Sequence, residues 1–311
     1  MDKRHLFSRA LLFVAMVLLL GVAQARANVF SDFNEKEQQL YQNAIHFMDN
    51  GMVDTGIDLL KGLDKAHPSN RAVVYEIVYG YIVKQDYEEA YQWAKKLLKL
   101  KDADADSYFI AGNAFDYVGK RKEAIEIYEK GLKKFPNSAR LWVEKGNMAY
   151  MMKNYDESVG CYEHAIDVDP NYDASYYRLA NLYAMSTDPV WAVMYAQNYQ
   201  LHASKYERLM EMGKLIYDLY RENVTRKDGK WEVTFTKTVN LSAYASQDCD
   251  IPYNGYFYHM HKVVLDEGGF AGDTLTLADV AKLHRKYVEI ADTTAHDYYN
   301  EPVLDMERAA L

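Results

Sequence analysis

The stretch RLWVEKGNMAYMMKNYDESVGCYEHAIDVDP, Arg140–Pro170, decides the fold. Its end packs Cys161, Glu163, His164, Asp167 and Asp169 together, residue types that ligate metals or act as nucleophiles. The rest of the stretch alternates large apolar and small residues at three- and four-residue spacing, then stops at Pro170, the pattern of two amphipathic helices and a helix breaker.

Sliding the chain against itself by 34 residues brings this pattern into register from Glu37 to Tyr206 without insertion or deletion. The repeats run 37–70, 71–104, 105–138, 139–172 and 173–206. Their fourth place holds Leu40, Val74, Tyr108, Trp142 and Tyr176. The eighth holds Ala44, Val78, Gly112, Gly146 and Ala180, and the twentieth Gly56, Ala90, Ala124, Ser158 and Ala192. Small residues at these two places let paired antiparallel helices approach closely. Pro68, Pro136 and Pro170 end the second helix of three repeats. A lone hairpin of this kind cannot bury its apolar face, so neighbouring hairpins must stack.

The pattern resembles the tetratricopeptide repeat family, best in Asp106–Pro136 and Arg140–Pro170; Val78 and Pro189 depart from it. The resemblance implies a mainly α, right-handed α-solenoid of five helix-turn-helix repeats. It also implies a groove lined by the first helix of each repeat, which in this family binds an extended peptide or a helix. By that analogy the groove residues are Tyr41, Tyr75, Phe109 and Tyr177 at the fifth place and Tyr79, Asn113, Asn147 and Asn181 at the ninth, with Tyr150 at the twelfth. The asparagines would hydrogen-bond a ligand backbone and the tyrosines would supply flat contact area. The basic clamp some members use for a terminal carboxylate is not evident, since Arg140 lacks matching lysines.

In this frame the reactive cluster dissolves. His164 stands where preceding repeats carry Lys96 and Lys130, a solvated helix face, and Cys161 stands where they carry Trp93 and Ile127, a packing position. Gly160 is expected near a helix crossing, with Tyr162 and Ala165 on the packing face.

Residues 1–27 read as a secretory signal peptide: a basic head, an apolar run from Leu11 to Val22, and small-residue cleavage sites after Ala25 or Ala27. An uncleaved anchor is the alternative. The expectation is export, to the periplasm or beyond. Removing this segment takes four of the 36 basic and one of the 45 acidic residues, leaving a formal charge of −12. Such a chain repels phosphate backbones, so no nucleic-acid partner is expected. Two cysteines, Cys161 and Cys249, exclude a disulfide-stapled scaffold. Residues 28–36 read as a linker.

After the repeats, 207–222 reads as an amphipathic capping helix and 223–311 as a small α+β unit of no recognised family. In it Asp228-Gly229 marks a turn, Trp231, Val233 and Phe235 alternate as a strand, and Thr276 and Asp279 form a capping box. GYFYHMHKVV, Gly255–Val264, reads as a second strand, which would put His259 and His261 on one side as a metal-ligand pair near Asp248 and Asp250. The Tyr258-x-x-x-Lys262 spacing and the glycine-rich Asp266–Asp273 lack the strand-turn-helix context of a cofactor site. A final short helix is expected from Pro302. The leading expectation is therefore a non-enzymatic adaptor that binds a protein or peptide and needs no cofactor. A C-terminal metal-binding or enzymatic unit and a structural homo-oligomer are the other readings.

Overall fold

The computed structural model describes residues 32–203, 205–235, 253–267, 269–270 and 272–294. The signal-like segment, Asp248, Cys249, Asp250 and the expected tail helix lie outside the described residues. Ten helices follow the repeat period in antiparallel pairs: α1 (Glu35–Asp49) with α2 (Val53–Ala66), α3 (Arg71–Val83) with α4 (Tyr87–Leu97), α5 (Ala105–Tyr117) with α6 (Arg121–Lys134), α7 (Ala139–Met151) with α8 (Tyr155–Val168), and α9 (Asp173–Ala184) with α10 (Val190–His202). The chain divides into two compact units, Met1–Pro136 and Asn137–Leu311.

Local chemistry explains why the helices begin and turn where they do. Asn70, Asp104 and Ser138, at the last place of successive repeats, each cap the following helix by accepting a backbone N–H three residues on. Between paired helices the chain reverses through a left-handed residue at the fifteenth place, Gly51, Gln85, Gly119 and Lys153. In the fifth repeat Pro189 lengthens this turn, and α10 begins only at Val190.

Close approach within each pair depends on the small eighth and twentieth places. A Cβ at Gly112 would lie 2.2 Å from the Tyr128 ring, and one at Gly146 would lie 2.6 Å from that of Tyr162. In the second repeat Val78 fills the eighth place, and Gly80 makes its close contact with the preceding repeat, Ile57 Cγ1 of α2 being 2.8 Å from where its Cβ would be. Ser158, at the twentieth place, is fully buried and donates to the Gly146 carbonyl at 2.9 Å, so its hydroxyl is satisfied across the pair. Gly160 is not at a crossing: a Cβ there would meet nothing within 4 Å.

In the second unit, α11 (Tyr206–Asn223) packs Met212 against Tyr176, Ala180, Ala196 and Tyr199 of the fifth hairpin. It leads directly into β1 (Val224–Lys227), which pairs antiparallel with β2 (Lys230–Val233). Asp228 and Gly229 both have positive φ, the two-residue turn that suits the twist of a hairpin. Trp231, Val233 and Phe235 point inward as the alternation predicts.

The second expected strand is a helix. Residues Tyr253–Glu267 form α12, and Leu277–Thr294 form α13, which opens on the Thr276–Asp279 capping box. The inward residues Phe257, His261, Val264 and Leu265 follow a helical period. The aromatic residues between them mimic alternation, and that is why the segment reads as a strand. These elements share one core with Val190, Val193 and Met194 of the fifth hairpin, so the C-terminal elements are built onto the last repeat.

Candidate functional site: the first-helix faces

The fifth, ninth and twelfth places lie on one side of each first helix. In the first unit this side is aromatic. Tyr41, Tyr75 and Phe109 are half-buried, and Tyr79 is 42% exposed, a large exposure for an aromatic ring between stacked helices. The Tyr41 hydroxyl hydrogen-bonds the Glu76 carboxyl on the neighbouring first helix. Burial, and then the charge of Asp49, push that carboxyl up to about 7. Burial and the same carboxylate push the Tyr41 hydroxyl up as well.

In the second unit, Tyr150 is exposed and in ring contact with Tyr155 at 5.7 Å, next to the exposed Met151 and Met152. Tyr177 is half-buried, donates to Glu211 at 2.9 Å and lies under the Arg208 guanidinium.

The asparagines have intramolecular partners. Asn113 Oδ1 accepts the Tyr128 hydroxyl at 2.6 Å, and Asn147 Oδ1 accepts that of Tyr162 at 2.8 Å. The Asn147 amide nitrogen donates to Glu144 at 3.0 Å, and that of Asn181 to the Tyr177 carbonyl. An amide has limited capacity, so these bonds draw the row toward holding the hairpins rather than a ligand backbone. The signal was present in the sequence: Tyr128 and Tyr162 recur at one place of adjacent repeats, fifteen residues after the asparagine each one meets.

Family models for the tetratricopeptide repeat match residues 105–137, 139–172 and 161–204. This chain is a tetratricopeptide-repeat protein. Among solved structures, a thermophilic tetratricopeptide-repeat protein of Thermus thermophilus is similar over 58% of this chain and 98% of its own, at 15% identity and TM-score 0.51, a likeness of fold. PilW, described as a widely conserved type IV pilus biogenesis factor, aligns over 77% of this chain and 97% of its own, at 13% identity and TM-score 0.49. YrrB, described as having an unusual peptide-binding site, aligns over 60% and 97%, at 14% identity and TM-score 0.40. A comparison with curated proteins gave no match.

The remaining candidates of this tetratricopeptide-repeat protein resolve by position. Glu163, His164 and Asp167 are exposed on α8, where His164 lies edge-on to Trp142, and Cys161 is buried in the packing. The metal-pair geometry expected of His259 and His261 falls with the strand, because residues two apart share a side only in extended chain. His261 is fully buried. Its Nδ1 faces the Phe257 carbonyl at 2.7 Å, and its Nε2 meets the Tyr220 hydroxyl at 2.8 Å. The carbonyl can only accept, so Nδ1 carries the proton and Nε2 accepts from Tyr220. Burial pushes His261 down to about 3 and His284, which Gln197 reaches at 3.1 Å, down to about 4. Both are neutral core residues. Lys262 donates to the Trp231 carbonyl at 2.9 Å. Among the described residues no group of three His, Cys, Asp or Glu side chains is placed to hold a metal ion, and no helix is long and apolar enough to cross a membrane.

Proposed function

We propose that this is an exported tetratricopeptide-repeat scaffold that holds a protein or peptide partner on its first-helix faces, in the assembly of an envelope complex. The observation that carries this reading is the exposure of large aromatic and apolar side chains there. Tyr79 and Val83 in the first unit, and Tyr150 and Met151 in the second, are each at least 39% exposed. Clustered exposed apolar side chains on a helix face commonly mark an interaction site. Tyrosine gives such a surface broad contact at a cost of few rotatable bonds. Export rests on the basic-apolar-small N-terminus, and the acidic surface disfavours nucleic acid. The reading asks no chemistry of the chain.

The test is affinity capture from envelope extract, with quantification of retained proteins. The wild type is compared with Tyr75→Ala/Tyr79→Ala in the first unit and Tyr150→Ala/Tyr177→Ala in the second. A specific partner lost from one variant while the fold is retained supports the reading. Equal capture by all three overturns it.

A further inference from the structure

The first-helix face of the first unit has a charge character that the repeat itself does not demand. Places 2, 5, 6, 9, 12 and 13 of a repeat fall on one stripe of its first helix, since residues three, four and seven apart share a side. Across α1, α3 and α5 these places carry Asp49, Glu76, Asp106 and Asp116, and no lysine, arginine or histidine. The same places in α7 and α9 carry Arg140 and Arg178 against Glu144, so the acidic bias belongs to the first unit.

Among the described residues, Asp49 and Glu76 have no counter-charge. Asp116 pairs with Arg121 at 3.1 Å, whereas neither Asp49 nor Glu76 forms an ion pair among the described residues. Among the described residues Glu76 is hydrogen-bonded by the Tyr41 hydroxyl, with Asp49 as a repelling neighbour. Arg71, the cation near Tyr41, is itself bound by Asp102 and Asp104. Beside Glu76 stand Tyr75 and, one helical turn on, the exposed Tyr79.

We propose that this stripe takes a cationic side chain, lysine or arginine, from the partner segment, set against Glu76 and Asp49 with Tyr75 and Tyr79 as its aromatic wall. An ammonium or guanidinium there supplies the missing positive charge, and the faces of the tyrosine rings attract it further. The electrostatic cost of Glu76 beside Asp49 is then relieved on binding and not in the free protein. The polarity is the reverse of a basic clamp for a terminal carboxylate. This inference rests on the partner-binding reading above and adds the chemistry of the partner.

A display library of random linear peptides, panned on the intact chain and on Glu76→Gln, separates the two claims. The expected result is enrichment of lysine- or arginine-bearing peptides on the wild type. Their affinity should fall about tenfold or more in Glu76→Gln. Glu76→Gln keeps the shape of the side chain; Asp49→Asn, at an exposed site, is the second variant and should weaken the same peptides. Enriched peptides without basic residues, or basic peptides indifferent to both substitutions, overturn this inference and leave peptide binding standing. No enrichment on the folded chain overturns both.

Discussion

The Tyr162 hydroxyl donates to Asn147 Oδ1 at 2.8 Å across the fourth hairpin, while its ring covers Gly146 so closely that a Cβ there would be 2.6 Å away. Tyr128, Asn113 and Gly112 repeat the arrangement one period earlier. One tyrosine thus explains two features of the sequence, a glycine and the asparagine that follows it.

Removing that hydroxyl should weaken the hairpin. Tyr162→Phe is expected to lower stability by about 1 kcal/mol, the usual net worth of one such bond. In a double-mutant cycle with Asn147→Ala on denaturant unfolding, the two losses should be less than additive. Fully additive losses would mean the amide acts elsewhere.

Gly146→Ala tests the contact itself. The added methyl cannot be accommodated without displacing the Tyr162 ring, which is 2% exposed and packed against Ala165 and Leu179. A loss of about 1–3 kcal/mol is expected, with Gly160→Ala as the neutral or mildly stabilising control on the same hairpin. Equal stabilities of the two variants would contradict the packing described.

The buried histidines give the second unit an acid limit. Unfolded, each takes up a proton near pH 6.5; folded, His261 resists to about 3 and His284 to about 4. The unfolded state therefore binds more protons in this window. Stability should be full above about 6.5 and fall as pH drops toward 4, by up to roughly tenfold in the folding equilibrium per pH unit for each histidine. Hydrogen exchange of α11 and α12 amides should speed up across that range. His284→Gln should flatten the dependence.

Glu76 acts with the opposite sign in the first unit. Its folded carboxyl is raised from 4.5 to about 7, so the stability it contributes is present below 4.5 and lost as pH rises through 7. Glu76→Gln should therefore stabilise the first unit at pH 8, on the order of 1 kcal/mol or more, and matter little at pH 4. Exchange protection in α1 and α3 of the two proteins at both pH values checks this.

The repeat elements were legible in the sequence because their pattern recurs five times in phase, so single departures such as Val78 are outvoted. Gly80 shows the limit: its close approach to Ile57 of the preceding repeat is a contact that only packing reveals. The Asp228-Gly229 hairpin turn was also legible, since two successive positive φ angles demand such residues. The helix at Tyr253–Glu267 was not. Tyrosine, phenylalanine and histidine serve as either apolar or polar in a pattern, so a non-repeating segment rich in them fits period two and period 3.6 alike.

By itself, then, the sequence determined the period, the paired helices and the faces they share, because helix spacing and stacking are nearest-neighbour properties written in every repeat. Tertiary structure alone decided what the polar groups on those faces do. A hydrogen bond depends on which donor arrives within about 3 Å, and position along the chain does not state that. Asn147 met Tyr162 and His261 met Tyr220, while among the described residues Glu76 met the hydroxyl of Tyr41 and no cation.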